Sequence, residues 1–381
     1  MLSQSRLCLS VMLTTRLATS MIINSPKTLL PYSPPPFAKP LRNVPKYRLN
    51  LANLPTPLQE IDLQADAVNE PSVLQPLRDL NIQFLVKRDD MSAGVELGGN
   101  KIRKLEFLLA DALDGGYDSA VTIGGEQSNH CRTTAAACRM VGMEPHLILR
   151  SRRANQVEKD RVENNEDSFG YVGNILFDRM VGAQIYTCTP GEYGRIGSNA
   201  LVQSLCEDIA KQNGKKVYPI PVGGSNALGT WGYIEAANEI KSQLDGEAVD
   251  HIVFACGSGG TATGITLGLA LAYKDEQDKL PNIHAVGVCD DPDYFYQEIS
   301  DIAREMGLAV PSDTSSSPKS VEEFIKDHVI MHQGKGLGYA SSTQQELEFI
   351  SKFALETGIV LDPGELIMNY DVFENCQQFP I

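Results

Sequence analysis

From about residue 82 onwards, short apolar runs alternate with amphipathic stretches. Three stretches have the spacing of helices: RKLEFLLADAL, SNHCRTTAAACRMVG and NALVQSLCEDIAKQ. The apolar runs between them have the length of buried strands: IQFLV, SAVTIG, PHLILR, QIYT, VYPIPV, DHIVFACG and HAVGVC. This alternation is typical of βαβ units. It predicts an α/β fold whose mainly parallel sheets are covered by helices.

Two polar segments interrupt the alternation, and we predict that both are exposed loops. They are RSRRANQVEKDRVENNEDSFG and VPSDTSSSPKS. The chain has 381 residues, which is enough for two domains or for one large domain with an inserted lobe. We find no internal repeat.

The N-terminal region differs in charge from the rest of the chain. Residues 1–59 hold seven Lys or Arg and no Asp or Glu, although the net charge of the chain is −15. Within it, MLSQSRLCLSVMLTTRLATSMII can form an Arg-bearing amphipathic surface, which indicates an organelle import signal. Mitochondrion is the first choice and plastid the second; a disordered extension is the alternative. SPKTLLPYSPPPFAKP predicts a Pro-rich linker without a fold of its own, so residues 1–48 are predicted to be targeting segment and linker.

Composition excludes several classes of function. A net charge of −15 disfavours nucleic acid and anionic membranes as partners, and no apolar run has the length of a membrane span. The eight cysteines show no CxxC spacing, so buried free thiols are expected. The six histidines form no ligand pattern, and we predict no metal site.

The first candidate for chemistry is Lys101 in ELGGNKIRKLEFLLADAL. Asn100 can cap a helix that starts around Lys101. On a helical wheel Lys101 lies within the apolar arc, whereas Arg103, Lys104 and Asp111 are predicted to point elsewhere. A lysine that faces the core at a helix N-terminus favours the neutral amine, which is the form that attacks carbonyl groups. The alternative is a lysine whose stem reaches the surface.

Two further motifs follow buried strands and open helices. In VTIGGEQSNHC, Gly124 and Gly125 precede Ser128 and Asn129, which place a hydroxyl and an amide at the sheet edge where α/β proteins bind ligands. A plain helix cap would explain Ser128 equally well. In HIVFACGSGGTATG, the residues from Gly257 to Thr261 form a candidate phosphate cradle.

The same glycine motif also permits a different class of enzyme. Gly257, Gly259 and Ala262 match a loose dinucleotide fingerprint, and Asp290 ends the next strand candidate, which keeps an NAD(P)-dependent oxidoreductase possible. A further glycine cluster, PVGGSNALGTWGY, also follows a strand, and GKGLGY brings Tyr339 onto a turn where it could stack on a flat ligand.

Together, GGNKIRKLEFLLADAL, IGGEQSNHCRTTAAACR, IPVGGSNALGTWGYIEA and CGSGGTATG resemble the D-cysteine desulfhydrases and 1-aminocyclopropane-1-carboxylate (ACC) deaminases. These are pyridoxal-phosphate (PLP) enzymes with the two-domain tryptophan-synthase-β-like fold. The resemblance covers roughly residues 49–363, and QSNHCR and GTWGY favour the desulfhydrase branch.

The resemblance implies roles for individual residues. Lys101 matches the lysine that binds PLP covalently, Ser128 the serine beside the cofactor, and Asn129 the asparagine that faces its 3′-oxygen. Gly257, Ser258, Gly259, Gly260 and Thr261 match the phosphate loop, Asn100 precedes the lysine, and Tyr339 matches an active-site tyrosine. The implied activity is a carbon–sulfur lyase that converts D-cysteine to pyruvate, sulfide and ammonia, with Lys101, or Ser128 relaying to it, carrying the proton. ACC deaminase and a catalytically impaired PLP-binding isoform are the alternatives.

The C-terminal residues depart from the family pattern. After LDP the family continues with V-Y-[TSE]-G-K-[AS], whereas Pro363 is followed here by Gly-Glu-Leu-Ile. Tyr370 lies too far along the chain to replace the family tyrosine. We therefore expect a truncated or alternatively spliced product, which would lose on the order of 10²–10⁴ in rate for one missing acid–base group.

The resemblance also predicts how the chain is divided. The large PLP-binding domain would comprise residues 49–97 and 217–381, and the small domain residues 98–216. Relatives imply a homodimer that acts on a small amino acid.

Overall fold

The structure is a computed structural model that describes residues 25–63, 72–164, 168–310, 318, 320–338 and 341–363. Its strands are β1 (Leu30–Pro31), β2 (Tyr47–Arg48), β3 (Leu58–Glu60), β4 (Leu85–Lys87), β5 (Ser119–Gly125), β6 (Glu144–Arg150), β7 (Gln184–Cys188), β8 (Val217–Pro219), β9 (His251–Cys256), β10 (Asn282–Gly287) and β11 (Ile330–Gln333). Its α-helices are α1 (Gln75–Asp79), α2 (Ile102–Asp114), α3 (Asn129–Val141), α4 (Ala154–Asn164), α5 (Gly173–Met180), α6 (Pro190–Ile196), α7 (Ser198–Asn213), α8 (Ala227–Leu244), α9 (Gly260–Ala272), α10 (Pro292–Glu305), α11 (Val321–His328) and α12 (Gln344–Thr357).

Two parallel sheets form the framework. The first has the strand order β7-β6-β5-β8, and the second has the order β11-β10-β9. β1 pairs with β2 and β3 with β4, both antiparallel. Every strand candidate of the sequence analysis coincides with or overlaps a strand. The predicted α/β architecture with mainly parallel sheets is confirmed.

Helix α2 departs from the amphipathic pattern predicted for it. It begins at Ile102 with Lys101 as N-cap, and Asn100 makes no capping hydrogen bond. The prediction that Arg103 and Lys104 point away from the core is wrong, because both are 1% exposed. Apolar side chains of α2 belong to two separate cores, so the helix is covered on opposite sides. Only the charged residues near its end, such as Asp111, reach solvent as predicted.

Charged partners explain how Arg103 is buried. Its guanidinium forms ion pairs of 2.8 Å with Asp89 and 2.9 Å with Glu239 on α8. Burial alone would lower the pKa of Arg103, but the two carboxylates outweigh it, so the pKa is raised. A buried charge is tolerated when it is paired and hydrogen-bonded in this way.

Two segments are more ordered than the sequence predicted. The first of the predicted loops contains helix α4, which comprises residues 154–164. Its sequence is rich in charged residues, but Ala154 and Val157 are buried. The second supposed loop, residues 310–320, lies mostly outside the described residues. The prediction of a linker over residues 25–40 is also wrong, because this segment packs on the core. Tyr32 contacts the rings of Phe107 and Trp231 edge-on.

The predicted domain boundary at 216/217 cuts through a sheet. β8 pairs with β5 of the first sheet, so Val217–Pro219 belong with the residues assigned to the small domain. The burial of residues 25–48 likewise extends the folded unit beyond the predicted start at residue 49. The rest of the domain division stays a prediction.

The second sheet carries a row of three histidines across its strands. Nδ1 of His251 lies 3.0 Å from Nε2 of His284, whose Nδ1 lies 2.9 Å from Nε2 of His332. Each neutral ring can donate one hydrogen bond and accept another along this row. Within the described residues no cluster of His, Cys, Asp or Glu could hold a metal ion.

The cysteines of the described residues are free thiols, as predicted. Five are buried and Cys289 is half-buried. In the described part of the chain, no helix combines the length and apolar character needed to cross a bilayer.

Candidate active site

A pocket lies where the carboxyl ends of strands from both parallel sheets meet. The ends of β5, β6 and β9 line it, together with residues that follow β8 and β10. Parallel α/β sheets bind ligands at this edge. The pocket brings together most of the predicted site residues, namely Asn100, Lys101, Ser128, Gly257, Ser258, Gly259 and Thr261.

Lys101 faces this pocket from the first turn of α2. Its Nζ donates a 2.9 Å hydrogen bond to Oδ1 of Asn100. The carbonyl of Asn100 in turn accepts a 3.1 Å hydrogen bond from the hydroxyl of Tyr233 on α8. Lys101 is half-buried, and its amine lies beside the pocket.

Ser128 lies in the turn between β5 and α3, residues 124–128, which we call the serine turn. It is 6% exposed, and its Oγ accepts a 3.2 Å hydrogen bond from the backbone N–H of Cys131. This is the side-chain cap that the sequence predicted for α3. Ser128 also lines the pocket, so its capping hydrogen bond does not exclude a role at the site, and that role stays a prediction.

Residues 257–261, the glycine turn, join β9 to α9. Gly259 is the N-cap, has φ +78° and provides no side-chain cap. A β-carbon built on Gly260 would lie 2.7 Å from Oγ of Ser225 and 3.0 Å from Nζ of Lys104. The turn thus offers uncapped backbone N–H groups beside a hydroxyl and a cation, which is the environment that binds phosphate.

Sequence reasoning missed Lys104 and Ser225. Lys104 donates hydrogen bonds of 2.8 Å to Oγ of Ser225 and 3.1 Å to the carbonyl of Gly223. Ser225 and Ser258 share a hydrogen bond of 2.8 Å. The sequence signal for Ser225 was its place in PVGGSNALG, a glycine cluster after a strand. The wheel had assigned Lys104 to the outside.

Two predicted residues are not part of the pocket lining, and a third lies outside the described residues. Gly260 belongs to the glycine turn and is the first residue of α9. The amide of Asn129 donates a 2.5 Å hydrogen bond to Asp362 and accepts one of 3.1 Å from Asn174. Tyr339 lies outside the described residues, as does the chain after Pro363.

Several groups in the pocket wall are held neutral. Burial lowers the pKa of His130 to about 3, with Lys101 and Lys104 adding to the effect, so its ring is uncharged. Burial raises the pKa of the Cys256 and Cys289 thiols, so neither thiol is activated as a nucleophile. Lys101 and Ser128 line the same pocket, together with the hydroxyl-bearing residues Tyr193, Ser258 and Thr261.

These residues fit the predicted cofactor. PLP needs an amine for its aldehyde, donors and a cation for its phosphate, and an apolar wall for its ring. Lys101 would supply the amine, and the glycine turn with Lys104, Ser225 and Ser258 would supply the phosphate site. Val222, Ala255 and Val288 provide apolar wall.

Known proteins agree with this assignment. A mitochondrial bifunctional D-cysteine desulfhydrase/ACC deaminase of Arabidopsis thaliana is 44% identical over 340 residues, covering 88% of this chain and 75% of that protein. The crystal structure of an ACC deaminase homologue superposes with a TM-score of 0.67 at 27% identity and covers 90% of each chain. An O-ureido-L-serine synthase shares the fold with a TM-score of 0.52 at 15% identity, covering 85% of each chain.

The resemblance found in the motifs and the predicted tryptophan-synthase-β-like fold are therefore confirmed. The family model for pyridoxal-phosphate dependent enzymes matches residues 50–371. This chain belongs to the family of pyridoxal-phosphate dependent enzymes.

Proposed function

We propose that the protein is a D-cysteine desulfhydrase, which converts D-cysteine and water to pyruvate, hydrogen sulfide and ammonia. The observation that carries this proposal is that Lys101, Ser128 and the glycine turn line one pocket. The activity printed in the name of the Arabidopsis relative supports the same reaction.

Different residues of the pocket would hold different parts of PLP and transfer the proton. Lys101 would hold PLP by its aldehyde, and Lys104, Ser225, Ser258 and the glycine turn would hold its phosphate. When bound, PLP accepts the electron pair left by loss of the α-proton. Lys101 Nζ would take that proton and Ser128 Oγ would relay a proton, a division supported by the presence of both residues in the pocket lining.

The walls of the pocket would orient the reacting groups and exclude water from them. The Asn100–Lys101 hydrogen bond fixes the position of the amine, and Tyr233 fixes Asn100. The low pKa of His130 makes its ring a weak base, and the raised pKa values of Cys256 and Cys289 keep both thiols protonated. The site therefore favours proton transfer by Lys101 and Ser128.

ACC deaminase is the second candidate, because a serine hydroxyl lines the pocket and the family's deaminases use this serine as a nucleophile. A mitochondrial location and a homodimer are further parts of the proposal. They rest on the Arg-bearing N-terminal segment, on the name of the Arabidopsis relative, and on family resemblance for the dimer.

The test uses purified holoprotein. We expect a yellow protein that releases sulfide and pyruvate from D-cysteine faster than it forms 2-oxobutanoate from ACC. Borohydride should fix the cofactor to Lys101, and Lys101→Ala should lose both fixation and activity. Faster 2-oxobutanoate formation would select the deaminase. Covalently held cofactor in Lys101→Ala would refute the assignment of the amine.

A further inference from the structure

Three backbone carbonyls directly precede Lys101, and each accepts a hydrogen bond from a side chain of another part of the chain. We call residues 98–100 the lysine strap. The hydrogen bonds join Nη2 of Arg132 to Gly98 at 2.8 Å, Oγ of Ser92 to Gly99 at 2.9 Å and the hydroxyl of Tyr233 to Asn100 at 3.1 Å. Of these three donors, Arg132 is the one that carries a charge.

The lysine strap controls the direction of the amine of Lys101. Its last residue, Asn100, accepts the 2.9 Å hydrogen bond from Nζ of Lys101 through its side chain. A shift of the strap would therefore turn the amine even if α2 stayed in place. A displacement of a reacting group by about 1 Å can cost about 10²-fold in rate.

Arg132 reaches the strap from the first turn of α3, directly after the serine turn. Burial lowers the pKa of its guanidinium, and the carboxylates of Asp362, Asp178 and Glu96 act against that change. Its Nε is buried and has no hydrogen-bond partner among the described residues. The guanidinium thus uses one donor to hold the strap, whereas no described residue accepts from another.

A buried carboxylate on the neighbouring helix lacks a partner as well. Asp178 belongs to α5, which packs on α3, and is 1% exposed. Neither of its carboxylate oxygens has a hydrogen-bond partner within the described part of the chain. Such groups are costly to bury. Asp178 and Nε of Arg132 are therefore complementary groups whose hydrogen bond is not formed in this conformation.

The surroundings of Asp178 include a thiol, apolar side chains and a second arginine. Burial raises the pKa of the Cys131 thiol on α3, and Asp178 adds to this rise, so the thiol is uncharged. Ile175, one turn before Asp178, belongs to an apolar cluster that includes side chains of α4 and β6. On α5 itself, the guanidinium carbon of Arg179 lies 4.8 Å from the centroid of the Tyr171 ring.

This environment brings the titration of Asp178 to neutral pH. Burial raises the pKa of its carboxyl to about 7, although Arg132 acts against the rise. While Asp178 is neutral, Arg132 stays on the carbonyl of Gly98. An ionised Asp178 competes for the guanidinium, because a charge-assisted hydrogen bond to a carboxylate is stronger than one to a carbonyl.

We propose that Asp178 and Arg132 form a pH-sensitive clamp on the lysine strap, in which ionised Asp178 draws Arg132 away from Gly98. Arg132 is then a positioning residue that acts on Lys101 through Asn100, and Asp178 sets the pH at which it lets go. The inference rests on the proposed function, because it concerns proton transfer by Lys101. The clamp makes turnover of D-cysteine slower above neutral pH than below it.

The first experiment measures turnover of D-cysteine by the full-length holoprotein at several pH values. Asp178→Asn keeps the shape of the side chain but cannot ionise, so its strap stays held at alkaline pH. The ratio of its kcat to that of wild type should rise about 10-fold between pH 6 and pH 8.5. Asp208→Asn, which removes an exposed carboxylate from α7, is the control, and its ratio should stay constant.

The second experiment follows the strap itself, without turnover. Leu97 and Gly98 donate their N–H groups to the carbonyl of Gly94, so hydrogen exchange at these two amides reports on the start of the strap. Wild type and Asp178→Asn should exchange equally at pH 6, and wild type should exchange faster at pH 8.5. Arg132→Met should exchange fast at both pH values. Arg132→Lys, which keeps a charged donor, should restore part of the protection.

Thermal denaturation tests the titration of Asp178 directly. Because its pKa is raised on folding, the folded state binds more protons than the unfolded state between about pH 4 and 7, and stability falls as pH rises through this window. Asp178→Asn lacks this loss. Its Tm relative to wild type should therefore increase by about 3 °C between pH 5 and pH 8.

The outcomes separate the clamp from the function on which it rests. A kcat ratio or a Tm difference for Asp178→Asn that does not change with pH would overturn the clamp. Wild-type exchange in Arg132→Met would overturn the role of Arg132. Absence of sulfide release by wild type at every pH would contradict the proposed function, whereas exchange and denaturation would still decide whether the clamp exists.

Discussion

The serine turn and the glycine turn reach the pocket from different sheets, and each begins a helix. In the serine turn, Oγ of Ser128 accepts the N–H of Cys131, so the helix satisfies part of its own first turn. In the glycine turn, Gly259 gives no side-chain cap, and Lys104 and Ser225 approach from other elements. In the proposed function, the first turn would present a side chain to the substrate, whereas the second would present backbone N–H groups to the phosphate, with Lys104 beside them as the cation.

The largest effect should come from the hydroxyl of the serine turn. Ser128→Ala removes the cap and the hydroxyl, whereas Ser128→Asn keeps a capping oxygen without the hydroxyl. If the hydroxyl carries protons, kcat should fall by about 10²–10⁴ in both variants. Steady-state sulfide release measures kcat. A normal kcat in Ser128→Asn would show that Ser128 only caps α3 and takes no part in proton transfer.

The next effect concerns the cation beside the glycine turn. Lys104→Met should raise the PLP dissociation constant about 100-fold, because a charge-assisted contact to the phosphate is lost. Titration of apoprotein with PLP measures it. Lys46→Met, which removes an exposed lysine paired with Asp114, is the control. Equal PLP affinity of the Lys104 and Lys46 variants would refute the phosphate role of Lys104.

A matched pair of glycine substitutions tests which atoms pack against each turn. A β-carbon at Gly124 would lie 2.6 Å from Cβ of Ser128 and 2.7 Å from Sγ of Cys131, inside the serine turn. Gly124→Ala should therefore lower the free energy of unfolding by about 2 kcal/mol through overpacking. Gly260→Ala should instead displace Ser225 and Lys104 and weaken PLP binding.

Urea denaturation of apoprotein and PLP titration give the two readouts. Gly125→Ala serves as a stability control, since no atom lies within 4 Å of its β-carbon. If Gly260→Ala lowered the free energy of unfolding and left the PLP dissociation constant unchanged, the proposed difference between the two turns would be wrong.

The smallest effect is a pH dependence in the sheet that carries the glycine turn. Burial, with the charges of His332 and His251, lowers the pKa of His284 to about 4. The folded state therefore binds fewer protons than the unfolded state between about pH 6.5 and 4, and stability falls as pH falls through this window. We expect Tm to drop by about 5 °C between pH 7 and 4.5. A His284→Gln protein with the same slope would exclude this cause.

The sequence was sufficient for those features that depend on local pattern. Strand runs followed by Gly and Ser placed both turns at the sheet edge, whereas the wheel did not separate Lys101, which lines the pocket, from Arg103 and Lys104, which are buried more deeply. The sequence distinguishes strands from helices because apolar residues recur at a different spacing in each. The roles taken from resemblance also converge on one pocket, except for Asn129, Gly260 and Tyr339.

The remaining features depend on tertiary partners that no local pattern contains. In the sequence, Arg103 and Lys104 have the spacing of an exposed polar face. Their burial depends on partners more than a hundred residues further along the chain: Glu239 for Arg103 and Ser225 for Lys104. The same holds for residues 25–40, whose packing depends on Phe107 and Trp231.

The buried contacts of α2 have a consequence for motion during turnover. Arg103 ties the helix to Asp89 and to α8, and Glu106 accepts the N–H groups of Leu51 and Ala52 at 2.8 Å each. An element anchored on two sides behaves as a stationary base on the timescale of catalysis. We therefore expect Lys101 to keep its position during turnover, and any opening or closing around the substrate to involve the other walls of the pocket.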